Sequence, residues 1–236
     1  MKENIDIPEI QKKLCEKLKP SGWSNILKTF ILSSDFEIIL KKLYLESRSK
    51  VHFTPLLKDL FKAFEECPYD QLKVVIVGQD PYPQINTADG IAFSCSIQDK
   101  TEASLNHIFK AIDRELMGNR GYTGDPNLKR WSNQGILMLN SALTVTIGKP
   151  GTHYELWKPF MRFLFDMLGY NNPGLIYGFM GLKAKYYEDL LPDNTHKFFT
   201  SHPASASYRA EEWDTKRFFK DIHECCRKNF AYEIIW

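Results

Sequence analysis

The stretch VVIVGQDPYPQINTADGIAFS (74–94) sets an acid, Asp80, close to two aromatics, Tyr82 and Phe93, in a segment punctuated by proline and glycine. Two more polar groups occupy comparable places: Asn140 closes the apolar run GILMLN, and His202 opens SHPASAS. A carboxylate can face a developing positive charge, an amide offers a donor and an acceptor side by side, and an imidazole can donate a hydrogen bond or carry a proton. Each is also a common cap or turn former at a strand exit. The functional reading requires the fold to bring all three together.

Four apolar runs are predicted strands: LKVVIVG (72–78), GILMLN (135–140), GLIYGFMG (174–181) and HKFFTS (196–201). Each is nearly continuous in apolar character, as expected of strands covered on both faces. Helical spacing fills the intervals at 102–117, 154–168 and 182–191, and again at 211–228. Residues 1 to about 50 read as a helical lead-in of two or three helices, with PSGW breaking the first from the next. The alternation predicts an α/β fold, three layers α/β/α around a central four-stranded parallel sheet. In such a sheet the working groups sit beyond the C-terminal strand ends. Three of the four loops there carry a polar candidate: GQDPYP has Asp80, NSALTV begins with Asn140, and SHPASASYR has His202, with MGLK the fourth. No repeat, low-complexity tract or linker divides the chain, so one domain spanning 1–236 is expected.

Composition narrows the classes. With 43% hydrophobic and 25% charged residues among 236, disorder is excluded, and a net charge of +2 neither requires nor forbids nucleic acid. Five cysteines without C-x-x-C spacing argue against a disulfide framework or zinc site. No apolar run reaches the roughly 18–20 residues of a membrane span, and the N-terminus lacks the apolar core of a signal peptide. A cytoplasmic protein, or a nuclear one in a nucleated host, is expected.

VVIVGQDPYP with DGIAFS, WSNQGILMLNSALTV and SHPASAS resemble the water-activating loop, the uracil-reading strand end and the minor-groove loop of family 1 uracil-DNA glycosylases. The resemblance runs from about residue 53 to the final helix and keeps the motifs in order. It implies a monomeric enzyme that flips uracil out of DNA and hydrolyses its glycosidic bond, leaving an abasic site without metal or cofactor. Removing a base means supporting positive charge on the sugar and negative charge on the base. By resemblance Asp80 stabilises the sugar cation and positions the water, and His202 donates to uracil O2; aimed donors of this kind are worth about 10²- to 10³-fold in rate. Asn140 matches uracil N3–H and O4, Tyr82 blocks a C5 methyl, Phe93 stacks on the base, and Gln79 lines the O2 side. The cysteine pattern does not suit the iron–sulfur branches of the superfamily. Trp131 and Gln134 read as packing residues, and His52, His107, His196 and His223 as structural. His153 falls where the family has a histidine-bearing loop and reads equally well as a DNA-contacting residue or as a polar helix start.

Four departures touch the DNA-facing parts. Pro83 replaces the histidine that ends the family hexad, and Ala206 stands where a leucine wedges into the base gap. Glu102 occupies a loop that presses on phosphate, and Leu182 with Lys183 replaces a phosphate-contacting Gly-Ser pair. Tyr208 or Arg209 is the substitute wedge, Ser205 and Ser207 are further DNA contacts, and Lys183 is a charge contact to phosphate. Since phosphate contacts set grip rather than base choice, chemistry should be better preserved than duplex affinity. The substrate is uracil-containing DNA, single- or double-stranded. Two other readings stand beside it: a glycosylase-fold binding protein serving replication or inhibitor partners, and a glycosylase for a modified uracil, against which the bulk of Tyr82 speaks.

Overall fold

The computed structural model describes residues 5–49, 51–95, 97, 101–209 and 212–236, without the side chains of 208 and 209. Three helices open the chain: α1 (Ile7–Lys17), α2 (Ser24–Ile31) and α3 (Ser34–Arg48). Next come β1 (Phe53–Thr54), α4 (Lys62–Glu66), β2 (Val74–Gly78), α5 (Ala103–Ile112), α6 (Lys129–Ser132), β3 (Ile136–Asn140) and β4 (Val145–Thr146). The chain continues through α7 (Tyr154–Asn171), β5 (Ile176–Met180), α8 (Leu182–Lys185), β6 (His196–Thr200), α9 (Ala204–Arg209) and α10 (Phe218–Phe230).

Four strands form one parallel sheet in the order β3-β2-β5-β6, with Gly78 level with Asn140. Side chains alternate across β5 and show the layers directly. Tyr177 and Phe179 meet Phe165 of α7, at ring separations of 5.9 and 6.0 Å. Gly178, between them, faces the other way, where an added Cβ would lie 2.6 Å from Phe218 of α10. Helices therefore cover both faces. The lead-in helices pack on α7, with Phe30 against Phe160 and Phe36 against Trp157. From β2 the chain moves to β3 on one side, and from β5 to β6 on the other, so the crevice between β2 and β5 is the switch point where ligands bind in such sheets.

Several boundaries differ from the sequence expectation. β6 is an edge strand, with Phe199 40% exposed beneath the Lys185 ammonium, so its apolar run is not covered on both faces. The helix expected at 102–117 is α-helical only to Ile112 and widens into a π turn over Asp113–Met117. The stretch 182–191 splits into α8 and a 3₁₀ turn at Glu188–Leu190. The last helix begins at Phe218, because Lys216 and Arg217 adopt left-handed backbone (φ 52° and 69°) that no helix can include. The sequence also hid α4 and a small antiparallel ribbon pairing β1 with β4. That ribbon positions the loop 147–153 against the sheet's exit edge. Among the described residues no helix is long and apolar enough to cross a membrane.

Candidate active site

β2 is fully buried Val-Val-Ile-Val and ends at Gly78, after which the chain turns out over the sheet edge. The turn is tied to its neighbour β3: Gly78 O accepts from Ser141 N at 3.1 Å and Ser141 Oγ at 2.8 Å, and Gln79 O accepts from Ala142 N at 3.1 Å. Asp80 comes next. Its Oδ2 accepts from Gly151 N at 2.6 Å, and Tyr154 at the start of α7 hydrogen-bonds to the same carboxylate. Burial raises the Asp80 pKa above the usual carboxylate value, and these two donors act against that shift. Three residues on, Pro83 O accepts from Gly148 N at 2.9 Å. The loop 147–153 thus clamps the Asp80 loop at both ends, supplying through backbone the support that Pro83 cannot give through a side chain.

Phe93 is brought in by a turn. Asp89 accepts from Ile91 N at 3.0 Å and from Ser94 Oγ at 2.6 Å, and Ala92 N donates to Met138 O at 3.1 Å. Phe93 itself sits at φ 63°, an uncommon conformation for a non-glycine residue, and it persists because the turn fixes it on both sides. Tyr82 donates its hydroxyl to Phe93 O at 3.0 Å, locking the two aromatic positions together.

Asn140 and Phe93 converge at Gly78. A Cβ added there would lie 2.9 Å from Asn140 Oδ1 and 2.9 Å from the Phe93 ring, so only glycine lets them approach. Gln79 and His202 converge likewise at Gly181, at the β5 exit: an added Cβ would lie 2.5 Å from Gln79 Nε2 and 3.0 Å from His202 Cβ. Gly181 also has φ 94°, which favours glycine on backbone grounds. The His202 ring lies 5.7 Å from the Phe93 ring and tilts 36° to it. Burial alone depresses its pKa to about 4, so the ring is neutral at pH 7. Nδ1 accepts from Ala204 N at 3.2 Å, which leaves the proton on Nε2 as a donor.

All six pocket candidates, Gln79, Asp80, Tyr82, Phe93, Asn140 and His202, therefore gather at the exit ends of β2, β3, β5 and β6. The outer candidates do not all follow. His153 is 2% exposed: Nδ1 lies 2.7 Å from Thr144 Oγ1, Nε2 lies 3.0 Å from Glu46 Oε2, and Trp157 donates to the same threonine. Burial lowers its pKa, and it is an internal tie rather than a DNA contact. Ala206 is 5% exposed and lies on the core-facing side of α9, so the wedge position is turned inward. Ser207, in contrast, is exposed and meets His107 at 3.0 Å, while Ser205 leans on Ser201. Lys183 is exposed with its ammonium 5.1 Å over the Tyr154 ring. The side chains of Tyr208 and Arg209 lie outside the described residues. Gln134 ties the C-terminal segment through Ile235 and Tyr232, and Trp131 is fully buried, both as packing residues. Glu102 precedes α5 near Tyr82 and is half-buried.

Sequence reasoning missed Asp89, Gly151 and Tyr154. The Asp-Gly pair at 89–90 carried a turn signal that would have found the first. Tyr154 was absorbed into the helical period of α7, and Gly151 acts only through its backbone.

The chain matches the family model for the uracil DNA glycosylase superfamily over residues 64–224. It is 34% identical to the uracil-DNA glycosylase of Borrelia turicatae over 191 residues, covering 79% of this chain and 84% of that one. With the uracil-DNA glycosylase of Flavobacterium johnsoniae it shares 29% identity over 218 residues, 92% of this chain and 97% of the relative. The crystal structure of mimivirus uracil-DNA glycosylase superposes with a TM-score of 0.82 at 25% identity, covering 94% and 88% of the two chains.

Proposed function

This chain belongs to the uracil DNA glycosylase superfamily, and from that premise we propose a division of labour among its pocket residues. Its activity is the excision of uracil from DNA. Asp80 faces the sugar. Held at one oxygen by Gly151 N–H and steadied by Tyr154, the carboxylate keeps an orientation from which it opposes the growing positive charge and orders the attacking water. His202, neutral with its proton on Nε2, donates to uracil O2 as charge collects on the leaving base.

Base choice belongs to three other side chains. Asn140 offers its amide to N3–H and O4, a pairing that cytosine inverts. Phe93 supplies the stacking face, and base–aromatic stacking is worth roughly 1–3 kcal/mol. Tyr82, fixed through its hydroxyl to Phe93 O, stands at the C5 edge and excludes thymine by bulk rather than by weak apolar discrimination. Gln79 lines the O2 side. The substrate is a DNA strand carrying uracil, single or paired, and the outer contacts fall to Lys183, Ser205 and Ser207, which are solvent-facing or partly so.

The observation that carries this reading is the double convergence, Asn140 with Phe93 on Gly78 and Gln79 with His202 on Gly181, at the switch point of the sheet. A base-release assay on oligonucleotides containing one uracil tests it. Free uracil and an abasic site are expected, with loss of release when Asp80 becomes Asn. Full activity of Asp80→Asn would remove Asp80 from the mechanism.

A further inference from the structure

Beside the catalytic loop, between the start of α7 and α8, a cavity of about 410 Å³ opens to solvent. That volume lies within the range of about 300–1,000 Å³ typical of small-molecule sites. Tyr154, Lys158, Leu182, Lys183 and Tyr186 form most of its wall. Two features set it apart from ordinary surface. Leu182 is 77% exposed and Tyr186 48% exposed, so large apolar faces are left open. Two ammonium groups also flank aromatic faces, Lys158 at 4.8 Å over Tyr186 and Lys183 at 5.1 Å over Tyr154.

Cations interleaved with open aromatic rings are the chemistry of single-stranded nucleic-acid binding: the rings stack bases and the charges track the backbone. The cavity is also continuous with the site of base removal. Ser141, next after Asn140 in the chain, lines it, and Tyr154 has its polar end on Asp80 and its ring face under Lys183. One acidic residue, Glu155, lies on the rim; it is exposed and faces Lys158 at 3.3 Å, so it offsets part of the charge without occupying the aromatic face.

We propose that this cavity is a subsite for the nucleotide next to uracil on the same strand, its base stacked on Tyr186 and its phosphate held between Lys158 and Lys183. The proposal rests on the pocket assignment made for uracil itself. Lys158 leaves the Tyr186 ring for the phosphate when the base arrives, exchanging one contact for two. The subsite gives the chain a hold on the strand that does not depend on a wedge at Ala206.

The test uses single-stranded oligonucleotides with one uracil, in which the neighbouring base on the 5′ or the 3′ side is replaced by an abasic spacer. On one of the two sides the spacer raises KM about 5- to 100-fold, the equivalent of one lost base stack. Tyr186→Ala raises KM by a similar factor on the natural strand, Tyr186→Phe does not, and Tyr186→Ala combined with the spacer adds no further loss. Lys158→Ala flattens the salt dependence of KM by about one phosphate, a slope change of roughly 0.7 for a single strand. Losses that multiply when variant and spacer are combined, or a KM indifferent to the spacer on both sides, overturn the subsite. Were wild-type protein to release no uracil from any strand, the pocket assignment would fail instead, and Kd values of the same strands by fluorescence anisotropy would still decide the subsite by the same criteria.

Discussion

The loop after β2 leaves an inner strand and is tied by Ala142 N, Gly151 N and Gly148 N before it has run six residues. The loop after β6 leaves an edge strand half open to solvent and leads into a short helix, α9, resting on α5 through contacts such as Ser207 with His107. One carries an acid, Asp80, and the other a histidine, His202, both at the exit edge of the sheet. The acid's protonation is contested between burial and fixed donors, whereas the histidine's is set by burial alone. The group proposed to act as an anion in a dry place thus receives the donors that favour its charged form. The histidine owes its neutral form to burial, and its one donor, Ala204 N on Nδ1, fixes the tautomer instead.

Asp80→Asn should break this division most severely. Base release is expected to fall by about 10²- to 10⁴-fold in single-turnover assays, since an amide cannot balance the sugar's charge or polarise water. Folding should not suffer. Burial raises the folded pKa of Asp80 above its unfolded value of about 3.9. Its contribution therefore favours folding below that value and is lost as pH rises through the folded pKa. At neutral pH the buried anion is a cost that Asn removes, so the melting temperature should be unchanged or higher. A destabilised Asp80→Asn would contradict the account of burial.

His202→Leu should lower release by about 10²- to 10³-fold, the loss of one aimed donor. Because its folded pKa is depressed to about 4, the wild-type rate should show no break near the ordinary histidine value of about 6.5. The same ring contributes stability above pH 6.5 that fades as pH falls toward 4. A rate profile titrating at 6.5 would mean that the pocket holds an imidazolium.

His153→Leu tests the clamp rather than the chemistry. It takes one partner each from Thr144, which keeps Trp157, and from Glu46, which keeps Lys42, at about 0.5–1.5 kcal/mol for each lost hydrogen bond, measurable by urea denaturation. An unchanged midpoint would make the buried histidine dispensable. The smallest effect should come from Tyr154→Phe: about a tenfold loss in rate, as one hydrogen bond to a charged group disappears. Its signature is a shift of the acid limb of the rate profile to higher pH, because the lost donor favoured the Asp80 anion. An acid limb that stays in place would reduce Tyr154 to a packing residue.

The inner region of the molecule was the more legible in sequence. Buried strands such as VVIVG announce themselves by composition, and GQDPYP and the Asn140 strand end each sit at the exit of one, so position and motif agreed there, while SHPASAS follows the half-exposed edge strand β6. The outer region was less so. His153 looked like a loop residue because its partner Glu46 lies in α3, over a hundred positions earlier, and no local pattern encodes that contact. Ala206 looked like a shortened wedge because the motif fixes its order in the chain but not the side of α9 it occupies. The clamp from Gly148 and Gly151 uses backbone N–H groups, which are the same in every sequence.

Gly78 bears on how such chains can be lost or repaired. The distance between the Asn140 amide and the Phe93 ring, which the proposed function makes the reader and the stacking face of the base, is set by an atom that is not there. One added methyl group would push them apart while every reactive side chain stayed in place. A chain with alanine at this position would display all the motif letters of an active enzyme and yet misalign its grip on uracil, so inactivation here would be invisible to an inventory of catalytic residues and reversible by a single codon.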